Sequence, residues 1–421
     1  MDALDPLTVD RRTLLRTGLA AAGTLALGPA FWREALAAEP ARIGAGPYGP
    51  LGAADTNGIR LPAGFRSRVI ARAGLPVPGT DYVWHLFPDG QATYPTADGG
   101  FILVSNSEVP DALPGEGGAS AIRFDRDGRS VDAYRILSGT SNNCAGGRTP
   151  WGTWMSCEET DRGLVWECDP TGRAAATAHP AMGAFEHEAI CVDPGGRRIY
   201  LSEDHRDSGF YRFTPTRYPD PSAGLLEIAT LNPDGVVTWT EVPDPSARSV
   251  QCREQVPGST RFRRGEGIWF DSDVVYLATT GDNTVWEYHV GTETMERLYH
   301  GAALGDAAPF QKVDNVTVSS SGDLFACEDP GDIGMGIITP EREAARFMSV
   351  TGTGQRVPEG PPEDVQNEIT GVVFDPSGTR MFFSAQRSFT VGVIYEVTGP
   401  FRQDRVAPAA GPQLRLDAPE R

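Results

Sequence analysis

Several patterns are missing from the 421-residue sequence, and each absence excludes a class of protein. No CxxC pair occurs among the six cysteines, so their spacing fits no zinc site. Beyond residue 38 no run approaches the roughly 18 apolar residues that a membrane span needs, and we expect a soluble mature protein with no stable membrane anchor. Basic residues are also few: 37 stand against 56 acidic ones, and the formal net charge of -19 argues against a nucleic-acid partner.

Lysine and histidine are scarce as well. Lys312 is the one lysine in the chain, which we attribute to genome composition because arginine supplies the other basic side chains. Among the six histidines, His187 alone lies inside an acidic motif, FEHE, which does not follow the HExxH zinc pattern. A lone histidine of this kind is more often a hydrogen-bonded structural residue than a ligand. Three cysteines lie in apolar, strand-like runs and are expected to be free and buried: Cys157, Cys191 and Cys327.

The N-terminus has the three parts of an export signal in the correct order. Residues 10–16 read DRRTLLR, an apolar stretch follows to residue 31, and residues 35–37 read ALA, a small-residue cleavage pattern. The alternative, a buried amphipathic helix, does not account for this order. We therefore expect a twin-arginine signal peptide over residues 1–38, the twin-arginine export machinery as a partner, and a periplasmic or secreted protein. Proteins on this route fold before export, often around a cofactor, which is a first hint of a metal site.

Turn-forming residues are abundant, with 49 Gly and 34 Pro, and short apolar runs lie between them, a pattern that favours an all-β fold. A unit repeats along the chain: an apolar strand, a turn with Asp, Gly or Ser, a second strand ending in acids, and an aromatic third strand. Five units are clear and one, near residues 84–134, is faint. The sequence predicts a six-bladed β-propeller, with seven blades as the alternative, whose four-stranded antiparallel blades surround a central channel. We expect an extended lead-in over residues 39–80, the propeller over 81–402 and a C-terminal tail over 403–421.

Acidic residues recur at two places in these units. The first is at the start of the first strand, at Glu188, Glu266, Asp314 and Glu368. The second is the end of the second strand, at Glu108, Glu158-Glu159, Glu203-Asp204, Asp282 and Glu328-Asp329. Because the first strand of each propeller blade lines the channel, these carboxylates should converge and repel one another unless cations neutralise them. Oxygen ligands indicate calcium more than zinc. The alternative is that acids end these strands because turns favour them.

The stretch 142–159, NNCAGGRTPWGTWMSCEE, is the most distinctive in the chain. Cys144 lies there in a small, polar, Gly-rich loop rather than among aliphatic residues. A thiol beside cations in a polar channel would ionise easily and act as a soft ligand. Softness matters because calcium has little use for sulfur, whereas iron accepts it.

This stretch resembles the signature of the PhoX-type alkaline phosphatases, a family of bacterial propellers. The resemblance continues in the family's order along residues 142–386. Its further motifs are FEHEA at 185–189, a second-strand acid motif at 200–204, RGE at 264–266, DN at 314–315 and EITG at 368–371. A twin-arginine signal is also usual in the family.

The resemblance implies an exported phosphomonoesterase that acts on small phosphate esters through a calcium and iron cluster in the channel. Cys144 would be an iron ligand. The other metal ligands would be Glu159, Glu188, Asp204, Glu266, Asp314, Asp329 and Glu368. Arg264 would bind the substrate phosphate, since its planar fork suits two phosphate oxygens. The metals would polarise the phosphoryl group and supply an oxygen nucleophile.

The sequence departs from the family's pattern at two positions near the predicted ligands. Gly267 stands where the family has an acid, and Glu328 rivals Asp329 as a ligand. Two other functions stay open. A calcium-dependent, lactonase-type propeller would share the oxygen ligands but would not need Cys144, and a non-catalytic propeller would bind a partner on its face. Metal analysis separates the three.

Overall fold

The computed structural model describes residues 39–109, 116–329, 333–351, 367–387, 392–403 and 416. The expected signal peptide, residues 1–38, and nearly all of the expected tail, residues 403–421, lie outside this part. Strands dominate the described residues and form six sheets. No helix in the described ranges has both the length and the apolar composition to cross a membrane.

The first half of the chain builds three sheets, which we call blades 1 to 3. Three strands precede them: β1 (Arg42–Ile43), β2 (Ile59–Arg60) and β3 (Arg66–Arg72). Blade 1 contains β4 (Pro88–Pro95), β5 (Phe101–Ser107), β6 (Gly117–Phe124) and β7 (Ser130–Thr140). Blade 2 contains β8 (Asn143–Arg148), β9 (Trp154–Glu158), β10 (Val165–Cys168) and β11 (Thr177–Ala178). Blade 3 contains β12 (His187–Asp193), β13 (Arg198–Glu203), β14 (Phe210–Arg217), β15 (Asp220–Leu231) and β16 (Val237–Glu241).

The second half builds blades 4 to 6. Blade 4 contains β17 (Gly265–Asp271), β18 (Val274–Thr279), β19 (Thr284–His289) and β20 (Thr294–His300). Blade 5 contains β21 (Val313–Val318), β22 (Leu324–Glu328), β23 (Gly334–Ile338) and β24 (Glu343–Val350). Blade 6 contains β25 (Ile369–Phe374), β26 (Arg380–Ala385) and β27 (Val393–Thr398). The α-helix α1 is Gly301–Leu304, and the 3-10 turns are Pro180–Met182, Cys252–Glu254, Thr280–Asp282 and Gly305–Ala307.

Short turns capped by aspartate set the antiparallel pairing within the blades. The backbone N–H of Gly196 donates to the Asp193 carboxylate at 2.8 Å, which closes the turn between β12 and β13. Asp375 does the same in blade 6, where its Oδ1 accepts from the backbone N–H of Thr379 and of Arg380 at 3.0 Å each. An Asp side chain that bonds the backbone of the following residues favours a tight turn over continued strand. Each first strand therefore folds directly back onto a second.

Blade 6 is completed by a strand from the other end of the chain. β3 pairs antiparallel with β27, from Arg66 opposite Thr398 to Arg72 opposite Val393. β1 and β2 both pair with β24 of blade 5. The segment 39–80, expected to be an extended lead-in, thus supplies the fourth strand of one blade and two short strands of another. Pairing the two chain ends closes the ring, with β3 as the outermost strand of blade 6.

The six first strands form the inner wall of this ring. β4 contacts β8, β8 contacts β12, β12 contacts β17, β17 contacts β21, β21 contacts β25, and β25 returns to contact β4. The predicted six-bladed propeller is confirmed, and the alternative of seven blades is not. All six first strands line the channel and run along it in the same direction. Equivalent positions of different blades therefore face one another across the channel axis.

The core lies between blades rather than at one centre. Six buried apolar clusters are present in the described residues, one at each boundary between neighbouring blades. At the boundary of blades 3 and 4, for example, Tyr200 and Phe210 pack with Val275 and Tyr288. Burying these faces stabilises each blade through its neighbours, at about 25 cal/mol per Å² of apolar surface. The channel itself is therefore free to carry polar side chains.

Candidate metal centre

All six first strands share one irregularity, a β-bulge near their starts. In blade 4, Gly265 lies opposite Thr279 and Ile268 opposite Leu277, so three steps on β17 match two on β18. The same one-residue excess occurs in the other five blades. A bulge inserts a residue and changes the direction in which its side chain points. The first residue within each bulge defines what we call the bulge ring: Asp89, Cys144, Glu188, Glu266, Asp314 and Gly371.

Side chains of the bulge ring come together with two acids from second strands. Three groups have ligand atoms that all lie within 4.8 Å of one another. The groups are Asp89, Glu108 and Cys144; Cys144, Glu159 and Glu188; and Glu188, Glu266 and Asp314. Cys144 and Glu188 each belong to two groups. The three groups therefore form one continuous cluster that draws on five blades.

Two further rings lie just outside the bulges, where one backbone hydrogen bond ends the ladder between each first and second strand. The residues whose backbone N–H donates this bond, one from each blade, form the strand-end ring: Glu108, Glu159, Asp204, Thr280, Asp329 and Gln386. The residues whose carbonyl oxygen accepts it form the rim ring: Phe87, Asn142, Glu186, Arg264, Lys312 and Glu368. These six bonds measure 2.9 to 3.1 Å. Together the three rings contain every metal ligand and the phosphate-binding arginine expected from the sequence.

In blades 2, 3 and 5 the second strand ends in two acids, and the first of each pair serves the blade rather than the cluster. Glu203 is fully buried and pairs with Arg253 at 2.6 Å. Glu158 accepts a hydrogen bond from the Trp166 indole at 2.9 Å. Glu328 forms an ion pair with an arginine of β24. Because strand side chains alternate, the following acid points into the channel. Of the acids at the end of β22, it is thus Asp329, and not Glu328, that contacts Arg264.

Arg264 connects acids from three blades at the mouth of the channel. Its Nη2 lies 2.7 Å from Asp204 Oδ2 and 3.0 Å from Glu266 Oε1, and its Nη1 lies 3.1 Å from Asp329 Oδ2. The charge of Glu266 is the largest cause that raises the pKa of the guanidinium above its ordinary value. Arg264 is therefore a permanent cation, and 39% of its side chain is exposed. Its position leaves it open to a ligand that arrives from solvent.

Blade 6 supplies a second cation and an amide that sequence reasoning missed. Arg387 pairs with Glu368, and its Nη2 lies 3.8 Å from Glu108 Oε2. The Gln386 side-chain amide donates to Asp89 Oδ2 at 2.5 Å and also to Glu108. These contacts tie blade 6 to blade 1 on the acid side of the channel. The bulge position of blade 6 is Gly371, which carries no acid. The acid that blade 6 contributes is instead Glu368 of the rim ring.

Asp89 was also missed, although a signal for it exists. It precedes Gly90 just as Glu266 precedes Gly267, at the start of a strand. The unit that contains Asp89 is the faint first repeat, so its acid was not aligned with the others. Glu108 was recognised as an acid at a strand end but was not selected as a ligand.

The cluster has far more negative than positive side chains. Its cations are Arg264 and Arg387. Its nine acids are Asp89, Glu108, Glu159, Glu188, Asp204, Glu266, Asp314, Asp329 and Glu368. Burial, together with the charge of Glu108, raises the pKa of Asp89 to about 7. Burial is also the largest cause that raises the pKa of Glu108, Glu159, Glu188, Glu266, Asp314, Asp329 and Glu368.

The donor set fits bound cations. Asp89 Oδ1 and Glu188 Oε2 are buried oxygens without a hydrogen-bond partner among the described residues, and both side chains belong to residues at most 1% exposed. Leaving a buried polar atom unpaired costs free energy, which a hard cation with oxygen ligands, such as calcium, would recover. Cys144 adds a soft sulfur donor to two of the three groups, which suits iron. Calcium and iron together match these residues.

The Cys144 bulge is held in place by hydrogen bonds from blade 1. The Asn106 amide donates to the carbonyls of Cys144 and Ala145 at 3.1 and 2.6 Å, and its own oxygen accepts from the Trp154 indole at 2.8 Å. Burial, followed by the charge of Asp89, raises the pKa of the Cys144 thiol well above its ordinary value. The easy ionisation expected from the sequence therefore depends on positive charge supplied by cations.

Gly267 has no space for a side chain. A Cβ atom there would lie 2.5 Å from Asn315 Cα and 2.9 Å from the Asp314 carbonyl oxygen. Adjacent first strands approach this closely because the second bulge residue of blade 4 packs against blade 5. An acidic side chain at position 267 would therefore clash with blade 5, and glycine lets the bulges of blades 4 and 5 pack closely together.

His187 precedes a ligand-type residue but turns away from the cluster. Its ring stacks on Phe185 with centroids 3.7 Å apart, and its Nε2 lies 3.1 Å from the Gly183 carbonyl. Burial lowers the pKa of His187 to about 4, so the ring is neutral at ordinary pH. It has a packing role in blade 3.

Two solved structures share this architecture. The first is PhoX from Pseudomonas fluorescens in complex with vanadate, with a TM-score of 0.66, 18% identity, and coverage of 84% of this chain and 97% of that one. The second is the PQQ domain of pyranose dehydrogenase from Coprinopsis cinerea, with a TM-score of 0.50, 10% identity, and coverage of 82% and 98%. At such low identity these matches show the propeller fold alone. None of the curated sequences compared with the chain is a match.

The family described as alkaline phosphatase PhoX matches residues 106–388, well over half of the chain. That range contains the first strands of blades 2 to 6 and every residue of the cluster except Asp89. Such a match indicates a phosphatase. The chain with this six-bladed channel and its ring of acids belongs to the PhoX family of alkaline phosphatases.

Proposed function

We propose that this protein is an exported, metal-dependent phosphomonoesterase that hydrolyses small organic phosphate esters. One observation carries the proposal: three overlapping groups of acids and a thiol lie beside a partly exposed arginine at the channel mouth. Membership of the PhoX family supports it. The P. fluorescens protein binds vanadate, a transition-state analogue.

The three groups of the cluster would hold calcium and iron. Cys144 would be an iron ligand, and the carboxylates of the bulge and strand-end rings would supply the oxygen ligands, with Glu368 from the rim ring. When bound, these ions would supply Lewis acidity that neutralises negative charge as it develops on the phosphoryl oxygens. The orphaned oxygens of Asp89 and Glu188 favour this assignment.

Arg264 would hold the phosphoryl group of the substrate. Its nitrogens are engaged by Asp204, Glu266 and Asp329, so in the absence of cations a phosphate dianion has to compete with three carboxylates. Neutralising those carboxylates weakens their hold on the guanidinium. The planar fork can then donate to two phosphate oxygens. Substrate binding would therefore depend on metal loading through Arg264 itself.

Arg387 and Gln386 would be positioning residues. They hold Glu108, Asp89 and Glu368 from the blade 6 side, so these carboxylates keep their directions when the substrate enters. A site whose charged groups are fixed before reaction loses less free energy to reorganisation during it. Neither residue needs to touch the substrate for this role.

Export by the twin-arginine route, with a periplasmic or secreted location, is part of the same proposal. It rests on the arrangement of residues 10–37. A route that exports folded proteins would allow the cluster to be assembled before export.

Elemental analysis and a phosphatase assay on the same sample test the proposal. The full chain is produced in a host with twin-arginine export, the exported protein is analysed for calcium and iron, and p-nitrophenyl phosphate turnover is measured with and without a calcium chelator. We expect both metals to be present and turnover to stop on chelation. Full turnover by a sample free of both metals would overturn the mechanism.

Two other results would redirect the assignment. Calcium without iron, together with no phosphate release, would favour the lactonase-type propeller. Neither metal and no turnover would favour a propeller that only binds a partner.

A further inference from the structure

A ring of mostly small side chains separates the acid cluster from a cavity of about 700 Å³ beyond the bulges. The second residue within each bulge defines what we call the floor ring: Gly90, Ala145, Ala189, Gly267, Asn315 and Val372. All six line the cavity, whereas Gly371 is the one member of the bulge ring that does. Asn315 is therefore the one polar side chain of the floor ring, at the boundary between the acids and the apolar space.

The side chain of Asn315 contacts three blades from this position. Its Oδ1 accepts a hydrogen bond from the backbone N–H of Gly371 in blade 6 at 2.6 Å. Its Nδ2 donates to Asp314 Oδ1 of its own blade at 2.9 Å and to Glu188 Oε1 of blade 3 at 3.4 Å. Asn315 is buried, so water competes little for these contacts.

The partner in blade 6 fixes the orientation of this amide. A backbone N–H can only donate, so the side-chain atom 2.6 Å from the Gly371 nitrogen must be the amide oxygen. The amide NH2 group then faces Asp314 and Glu188, and its two hydrogens have two carboxylate acceptors. Asn315 thus turns hydrogen-bond donors towards the acids, and not an atom that could ligate a cation.

These donors distinguish the two oxygens of Glu188. Oε1 accepts from Asn315, whereas Oε2 is buried without a hydrogen-bond partner among the described residues. We propose that Asn315 is a positioning residue, which holds one oxygen each of Glu188 and Asp314 so that the other oxygen is directed to a bound cation. This inference rests on the proposed function, in which calcium and iron occupy the cluster.

A neutral donor suits this position better than the side chains that could replace it. A carboxylate would add a negative charge next to two buried acids. An apolar side chain would leave the Gly371 N–H and both carboxylate oxygens without their partner. A positively charged side chain would compete with a cation for the same oxygens. An amide holds the carboxylates in place without any of these costs.

Calcium affinity tests the inference separately from turnover. The exported protein is freed of calcium with a chelator and titrated with calcium chloride in a calorimeter, as parent, Asn315→Leu and Asn315→Ala. Leucine keeps the branched shape of asparagine without its hydrogen bonds, and alanine removes both. We expect both variants to bind calcium about 10- to 100-fold more weakly, the usual loss when a residue that orients metal ligands is replaced. With saturating calcium, kcat for p-nitrophenyl phosphate should fall while KM stays within about twofold, because Asn315 does not touch the substrate.

Thr317→Val is the matched control, because Thr317 lies two residues further along β21, is also buried and lines the cavity. It should bind calcium as the parent does. Parent-like affinity in Asn315→Leu would show that the residue only fills the floor, and the inference would be wrong while the proposed function stands. Should Asn315→Leu not fold, Asn315→Ala decides alone, and parent-like affinity in it contradicts the inference. If the parent itself binds no calcium, the proposed function falls and takes the inference with it.

Discussion

The two ends of the channel are built by the same six first strands, yet their chemistry is opposite. At the bulges and before them lies the acid cluster. Beyond the bulges lies a cavity of about 700 Å³ lined by small and apolar residues, among them Val192, Phe270 and Phe374. Asp375 is the one acid that lines it within the described ranges, and it caps its own turn. The position of a bulge, rather than the choice of strand, therefore decides where charge collects.

The comparison also shows why the acid end needs a bulge. Regular strand pairing alternates side chains between the two faces of a blade, and both faces here pack against neighbouring blades. A carboxylate in that regular part would enter an apolar core cluster. The extra residue of each bulge takes one side chain out of this alternation and turns it to the axis.

Glu188→Gln should give the largest effect, because Glu188 belongs to two of the three groups. We expect phosphatase activity to fall about 1000-fold, since metal ligands supply several kcal/mol of transition-state stabilisation. The chelated variant should nevertheless unfold at a higher temperature than chelated parent protein, because one repelling charge is gone. Activity assays and thermal unfolding measure the two effects.

Ile190→Val is its control, two residues further along the same strand but beyond the bulge. It should keep activity and cost about 1 kcal/mol of stability. Full activity and metal content in Glu188→Gln would break the proposed contrast between the two ends.

Replacing cysteines at each end should give the next largest effect. Cys144→Ser should lose iron and about 100-fold in activity while calcium binding persists, since oxygen replaces the soft donor. Cys191 lies in the wall of the opposite cavity. The Cys191→Ser variant should therefore keep both metals. Elemental analysis of the two variants decides the matter. Equal iron content in both would remove Cys144 from the metal ligands.

Arg264→Ala should lower kcat/KM for p-nitrophenyl phosphate by about 10- to 100-fold. Both KM and kcat should change, because the side chain would hold the phosphoryl group in the ground and transition states. Arg148→Gln removes a cation from the wall of the opposite cavity and should leave both parameters unchanged. Steady-state kinetics measure the difference, and an unchanged Arg264→Ala profile would take Arg264 out of the site.

The smallest effect concerns packing. Gly267→Ala should cost about 1 to 3 kcal/mol, because its Cβ would meet the backbone of blade 5. At Gly195, in a turn on the opposite side, the nearest atom to a Cβ is 3.4 Å away, so Gly195→Ala should be neutral. Chemical denaturation measures both. Equal stability of the two variants would show that the bulges are not tightly fitted.

Much of this architecture could be predicted from the sequence, because each blade repeats a local pattern. Asp-capped turns and paired apolar strands specify a blade within about 40 residues, and acids at matching places of separate repeats predict a shared channel. The part of the ring closed by β3 could not be foreseen. Its strand lies within a Gly- and Pro-rich segment, and only pairing with a strand more than 300 residues away reveals it.

The missed site residues have similar causes. Arg387 acts through partners in two different blades, which no local pattern records. Which acid of a pair such as Glu203-Asp204 faces the channel depends on strand register and on Arg253, which lies in the 3-10 turn Cys252–Glu254 between two blades.

The central claim is that acids from separate blades crowd together and that cations make this crowding tolerable. Burial raises the pKa of these acids, to about 7 for Asp89. An acid whose folded-state pKa lies above its unfolded value opposes folding once pH exceeds the unfolded value, and the penalty is complete above the folded value.

Thermal unfolding of the chelated protein between pH 5 and 8, repeated with calcium restored, tests this most directly. The account predicts that the chelated protein loses stability as pH rises across this window and that calcium abolishes most of the loss. A chelated protein equally stable at both ends of the window, and unaffected by calcium, would contradict it.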